Sequence, residues 1–121
     1  MVLFDHIASV SEGRGAFPQV SRGLSFTIDR TSGTCTDVFI NGKPLNPKGV
    51  YKIATNSYLA NGGDGYRVFL RALHRYDSSV LQRDVFALYL QHLGGRIRPV
   101  VRQRIRIKGV DDARFHQVLA A

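Results

Sequence analysis

Leu24, Phe26 and Ile28 alternate with Ser25, Thr27 and Asp29. A two-residue period puts alternate side chains on opposite faces of an extended chain, so this stretch predicts a strand with one buried face. Turn chemistry follows at Thr31–Thr34, and Thr36–Ile40 reads as a second strand. That strand runs into Asn41-Gly42, a pair in which both residues tolerate positive φ and so favours a tight hairpin. Consecutive strands joined this way commit the chain to antiparallel sheet.

Helical signals flank this sheet. Leu3, Ile7 and Val10 recur at i, i+4 and i+7, which predicts a short amphipathic helix ending near Glu12–Gly13. Irregular chain follows through Pro18. Pro44, Pro47 and Gly49 form a loop, and Tyr51–Thr55 reads as another strand. Val68, Phe69, Ala72 and Leu73 suggest a helix or helical turn. Ser79 and Gln82 fit a capping box opening a longer helix, with Leu81, Val85 and Leu88 on one stripe and Gly94-Gly95 at its end. In VRQRIRIK, Val101, Ile105 and Ile107 alternate with Arg102, Arg104, Arg106 and Lys108, a strand with a basic face. Asp111 and Asp112 can cap a final helix through Leu119. The order helix, strands, helix, strand, helix predicts one α+β domain over residues 1–121, with a mixed, largely antiparallel sheet and a few packed helices.

Composition narrows the chemistry. Lys and Arg number 17 against 9 acids, a formal charge of +8 that favours anionic partners or simply keeps the chain soluble. No apolar run reaches the roughly 18–20 residues that span a bilayer, and the N-terminal stretch, with Asp5 early, is no signal peptide. The single cysteine, Cys35, has no internal partner and reads as a small apolar residue. His6, His74, His92 and His116 are scattered, none at metal-ligand spacing. HExxH, GxSxG, Walker A and GxGxxG patterns are absent, and with nine acids a paired-carboxylate site is hard to assemble. These residues do not point to a self-sufficient catalyst, and no cofactor or metal is expected on this chain.

One segment carries recognisable binding chemistry. NSYLANGGDGY, residues 56–66, crowds glycines around one carboxylate between two tyrosines. It can be a long turn after a strand. It can also be a sugar-and-base pocket. Glycines let backbone approach a ligand closely, an acceptor-only carboxylate suits the vicinal hydroxyls of a ribose, and a tyrosine face stacks on a planar base for about 1–3 kcal/mol.

The same segment resembles the signature of the C-terminal domain of the 5'-nucleotidase family, which includes UDP-sugar hydrolases. The likeness extends to GAFPQVSRGLSFTIDRTSG, to VFINGKPLNPKGVYKIATNSYLANGGDGY and to QRDVFALYLQHLGGRIRPVVRQRIRI, and so covers about residues 3–108. The family's members are secreted, periplasmic or surface-anchored metallophosphoesterases that dephosphorylate nucleotides or cleave related nucleotide esters. By that resemblance Tyr58 stacks on the nucleobase and Asp64 binds ribose hydroxyls. Gly15 lines the substrate site, while Asn61, Gly62, Gly63 and Gly65 shape the loop. Phe17 and Phe26 are expected in the core.

The resemblance also implies a division of labour. Nothing in the chain is similar to the family's two-metal catalytic domain, nor to the phosphate-holding arginines and second stacking ring that open its C-terminal domain. The chain is therefore expected to be the later part of a substrate-binding domain, with divalent metals and hydrolysis belonging to an absent N-terminal domain. The closing R-Q-R-I departs from the family's E-G-R-I, so Arg102 has no family role. Two other readings compete. Arg102, Arg104 and Arg106 could track the phosphates of a nucleic acid or another polyanion. Alternatively, exposed sheet edges could pair two chains into a homodimer, making this a packing domain.

Overall fold

The structure is a computed structural model that describes residues 2–109. The helix expected at Asp111 and Asp112 lies outside the described residues. In chain order the elements are α1 (Val2–Ser9), β1 (Leu24–Asp29), β2 (Thr34–Ile40), β3 (Lys43–Pro44), α2 (Ser57–Ala60), two short 3₁₀ turns (Gly63–Gly65 and Arg67–Arg71), α3 (Gln82–His92) and β4 (Ile105–Lys108). Among the described residues four strands form one sheet in the order β3-β2-β1-β4. The β1–β2 and β2–β3 pairs are antiparallel and β1–β4 is parallel, so the fold is the mixed α+β architecture expected.

The hairpin forms where the sequence places it. Asn41 and Gly42 take φ of 51° and 79°, the left-handed pair of a type I′ turn, and Ile40 then pairs with Lys43. The β1–β2 register slips between Ser25 and Thr27, and Asp37 stands there at φ 51°, so β2 carries a bulge opposite Phe26. Phe26, Thr27 and Ile28 are all buried in consequence of their central position, and Thr27 offers its hydroxyl oxygen to Arg106 Nε at 3.1 Å.

α1 covers one face of this sheet. Phe4 meets Phe26 edge-to-face at 5.5 Å, and Ile7, Ala8, Ile28, Val38 and Tyr66 complete the core. Phe26 and Ile28 are fully buried, each worth roughly 1.5–3 kcal/mol of apolar transfer. Phe17 is half-buried against the same cluster.

α1 stops at Ser9, short of the expected Glu12–Gly13. The cause is Arg30 at the end of β1. Its guanidinium donates to the carbonyls of Ala8 at 2.6 Å and Val10 at 2.7 Å, and forks onto Glu12 Oε1 at 2.6 and 2.9 Å. One side chain thus satisfies a carbonyl in the helix's last turn and another just beyond it, and pins the helix to the sheet.

Three other expectations change. Tyr51–Thr55 forms no strand: its residues are exposed and pair with no other described segment. The Ser79/Gln82 capping box does not form. Asp77 Oδ1 accepts the Ser79 amide at 2.8 Å, Ser79 sits at φ 57°, and α3 opens instead from Leu81 without a side-chain cap. The basic strand is shorter than its pattern, because Gln103 at φ 54° breaks the extended run and β4 begins at Ile105. The end of α3 is as read. The Gly95 amide reaches Leu90 O and the Gly94 amide Gln91 O, a Schellman pair with both glycines at positive φ.

Cys35 is half-buried, with Sγ 3.4 Å from the Phe4 carbonyl. Burial pushes its thiol up to about 11, Arg30 opposing and Asp5 reinforcing. A thiol raised from 9.0 stabilises the fold fully below pH 9 and loses that contribution as pH climbs toward about 11. Alkylation at mildly alkaline pH should therefore run at least about tenfold slower in the folded chain than in urea; equal rates would refute the burial. Arg30→Met should cost about 2 kcal/mol in urea unfolding, with Arg30→Lys recovering only part of it. A loss below about 0.5 kcal/mol would show that the guanidinium fork contributes no more than a surface pair.

Candidate functional site

The glycine segment is built as a string of tight turns rather than a wide loop. Asn56 caps α2, its Oδ1 accepting the Leu59 amide at 2.9 Å. α2 lasts one turn before Gly62 breaks it at φ 88°. Asp64 follows at φ 54° and Gly65 at φ 81°. Successive left-handed residues fold the backbone back under α2.

This reversal brings Tyr58 and Asp64 together. Tyr58 Oη donates to Asp64 Oδ1 at 2.9 Å. The ring rests on Gly63, where a Cβ would stand 2.6 Å from Tyr58 Cζ, yet Tyr58 remains 60% exposed. Asp64 is also exposed. A ring and a carboxylate therefore face solvent side by side, joined through the phenol. Asp64 Oδ2 and the second lone pair of Oδ1 stay open to further donors.

The next ring anchors the pair. Tyr66 is buried, stacks on Phe69 at 5.8 Å and meets His6 in a T-shaped contact at 4.5 Å. Its hydroxyl donates to the Ala16 carbonyl at 2.8 Å. That bond ties the segment containing Gly15 to the glycine loop. Burial, with the Asp64 charge adding to it, raises the Tyr66 phenol above its ordinary value, so it remains a donor. His6 Nε2 lies 3.0 Å from the Asp64 carbonyl, which fits an imidazole N–H donating to it. Gly65 allows this approach, since a Cβ there would lie 2.7 Å from His6 Cε1.

The remaining predicted residues take supporting places. Asn61 Oδ1 accepts from Arg75 at 3.0 Å, and the same guanidinium nitrogen reaches Ala60 O at 2.6 Å. Gly62 borders Leu70, and Gly15 is exposed with open space where a Cβ would be. His6, Tyr66 and Arg75 were not singled out as site residues by sequence reasoning. His6 and Asp64 stand 58 positions apart, and no local pattern marks such a pair. Of the basic strand residues, Arg104 donates to Val20 O and Arg106 to Thr27 Oγ1, so both guanidiniums are engaged within the fold. Among the described residues no His, Cys, Asp or Glu group of three is placed to hold a metal ion.

The chain is similar to known proteins over most of its length. Residues 2–71 match the family model described as the 5'-nucleotidase C-terminal domain. The trifunctional nucleotide phosphoesterase protein YfkN of Bacillus subtilis is 36% identical over 108 residues, 83% of this chain and 7% of that protein. A 5'-nucleotidase of Diplobatis ommata is 32% identical over 113 residues, 84% of this chain and 19% of its own length. The protein UshA of Escherichia coli is 29% identical over 85 residues, 70% of this chain and 15% of its length. No solved structure gives a significant match. The chain belongs to the 5'-nucleotidase C-terminal domain family, and it spans less than a fifth of each of these relatives.

The glycines separate geometric need from proximity. Gly63→Ala and Gly65→Ala should each lower stability by about 1–3 kcal/mol, the first by displacing Tyr58 and the second by strain and the His6 contact. Gly15→Ala should stay within about 0.5 kcal/mol of the parent. Thermal denaturation of the three variants checks the order, and an equal loss at Gly15 would contradict it.

Proposed function

We propose that this domain recognises the base and ribose of a nucleotide for a 5'-nucleotidase-type hydrolase. Tyr58 presents its ring to the base and Asp64 accepts hydrogen bonds from the ribose hydroxyls. Hydrolysis, with its divalent metals, belongs to a metallophosphoesterase domain outside this chain. By the family resemblance, the whole enzyme works in the periplasm, in secretion or at the cell surface. Among the described residues no helix is long and apolar enough to cross a membrane.

The observation that carries this reading is the exposed pair itself. The Tyr58 phenol oxygen and an Asp64 carboxylate oxygen are held 2.9 Å apart, on a turn braced by buried Tyr66 and by His6. A planar base on the ring brings its attached sugar toward the carboxylate. The phenol bond keeps Asp64 oriented before ligand arrives, so less ordering remains to be done on binding. Gly63 lets the Tyr58 ring lie close against the backbone, while Asn61, tied to Arg75, holds the turn that separates the two groups.

Nucleoside titration by calorimetry tests these roles. Asp64→Asn should weaken ribonucleoside binding by about 1.5–3 kcal/mol, the range for hydrogen bonds to a charged group. The loss should largely vanish with a 2',3'-dideoxynucleoside, which has no hydroxyl pair to offer. Tyr58→Ala should cost about 1–3 kcal/mol with either ligand, and Tyr58→Phe far less. Equal losses at Asp64 with ribo and dideoxy ligands would remove the carboxylate from ribose recognition.

A further inference from the structure

α3 and the segment after it leave a row of apolar side chains exposed. Val85, Phe86, Leu88 and Tyr89 lie on α3 between 52% and 65% exposed, and none of the helix is buried by the sheet or by α1. Beyond the Gly94-Gly95 stop the chain runs back beside the helix. Together they enclose an open groove of about 380 Å³ whose apolar lining is Tyr89, Leu93, Ile97, Pro99 and Val100. Ile97 and Val100 are 56% and 55% exposed. Exposed apolar side chains gathered in one groove suit a contact with another apolar surface.

The same groove is strongly basic. Among the described residues Arg96, Arg98, Arg102 and Arg104 line it, and no acid does. Arg104 is committed to the Val20 carbonyl. The three ion pairs among the described residues join Arg30 to Glu12, Arg83 to Asp84 and Lys108 to Asp29, and so leave out Arg96, Arg98 and Arg102. All three of these side chains are on exposed residues.

An occupant must answer both features. It must bring apolar side chains to a mainly aliphatic floor and paired oxygens to planar guanidinium forks. A polynucleotide supplies phosphates, but its bases want rings to stack on, and among the described residues Tyr89 is the groove's lone aromatic. A lipid surface is flat where this site is concave. We propose that the groove between α3 and residues 96–102 is a docking surface for an acidic amphipathic polypeptide segment, its apolar side chains on Leu93, Ile97 and Val100 and its carboxylates on Arg96, Arg98 and Arg102. The proposal is independent of nucleoside recognition, since it uses none of the residues of the glycine loop.

A labelled synthetic peptide of leucine, alanine and glutamate tests it. About 16 residues, with one apolar face and glutamates along its flanks, gives about four helical turns. Fluorescence anisotropy should show binding that weakens with salt. Replacing its glutamates by lysines should abolish binding. Arg98→Glu combined with Arg102→Glu should weaken it at least about tenfold, and Ile97→Ser should weaken it without changing the salt dependence. Circular dichroism and nucleoside titration should be unchanged in these surface variants, which separates this site from the loop. Equal affinity for the glutamate and lysine peptides would overturn the proposal. So would unchanged binding by the arginine variant, or tighter binding of oligothymidylate or of phosphatidylglycerol vesicles.

Discussion

The arrangement depends on one side chain, Tyr66. Its ring is 4% exposed, and it belongs to the same core as Phe4, Phe26 and Ile28. Its hydroxyl would be costly to bury alone, and the Ala16 carbonyl accepts it at 2.8 Å. Three stretches distant in sequence are thereby joined: α1 through His6, the irregular segment at Ala16, and the glycine turn itself. The loop projects from the core because one of its own residues is part of the core.

This anchoring explains why the turn needs so much glycine. With Tyr66 buried and His6 bonded to the Asp64 carbonyl, the backbone between Asn61 and Tyr66 has little room. Gly62 and Gly65 take left-handed conformations, and Gly63 passes beneath the Tyr58 ring. The main chain at Asp64 faces inward to His6 while its side chain faces outward to Tyr58. Rigidity at the backbone and exposure at the side chain are what a pre-organised binding pair requires.

Much of the fold was legible in the sequence because local chemistry decided it. The alternation in Leu24–Asp29, the Asn41-Gly42 turn and the double-glycine stop at Gly94-Gly95 each encode a geometry within a few residues. Expectations failed where a distant partner decided instead. Arg30 ends α1 early, and Tyr51–Thr55 has the strand pattern but no described neighbour to pair with. Asp77 captures the Ser79 amide before a capping box can form. The site follows the same division. Tyr58 and Asp64 could be named from residue type, spacing and family likeness. Their hydrogen bond and the bracing by His6 and Tyr66 could not, because these rest on tertiary contacts. The basic pattern in VRQRIRIK was legible too, but the bonds of Arg104 and Arg106 to the fold, and the groove at Arg96, Arg98 and Arg102, emerge only in three dimensions.

The central claim is that a turn fixed to the core by Tyr66 and His6 presents Tyr58 and Asp64 as a ready-made pair for a nucleoside. Amide and aromatic NMR shifts of the isotope-labelled chain during titration with a ribonucleoside test it most directly. The account predicts saturable shifts at the Tyr58 ring, at the amides of Gly62 to Gly65 and near Gly15, with the Tyr66 and His6 ring signals holding their positions. Saturable shifts centred elsewhere, or a loop whose signals show it rearranging around Tyr66 as ligand binds, would contradict it.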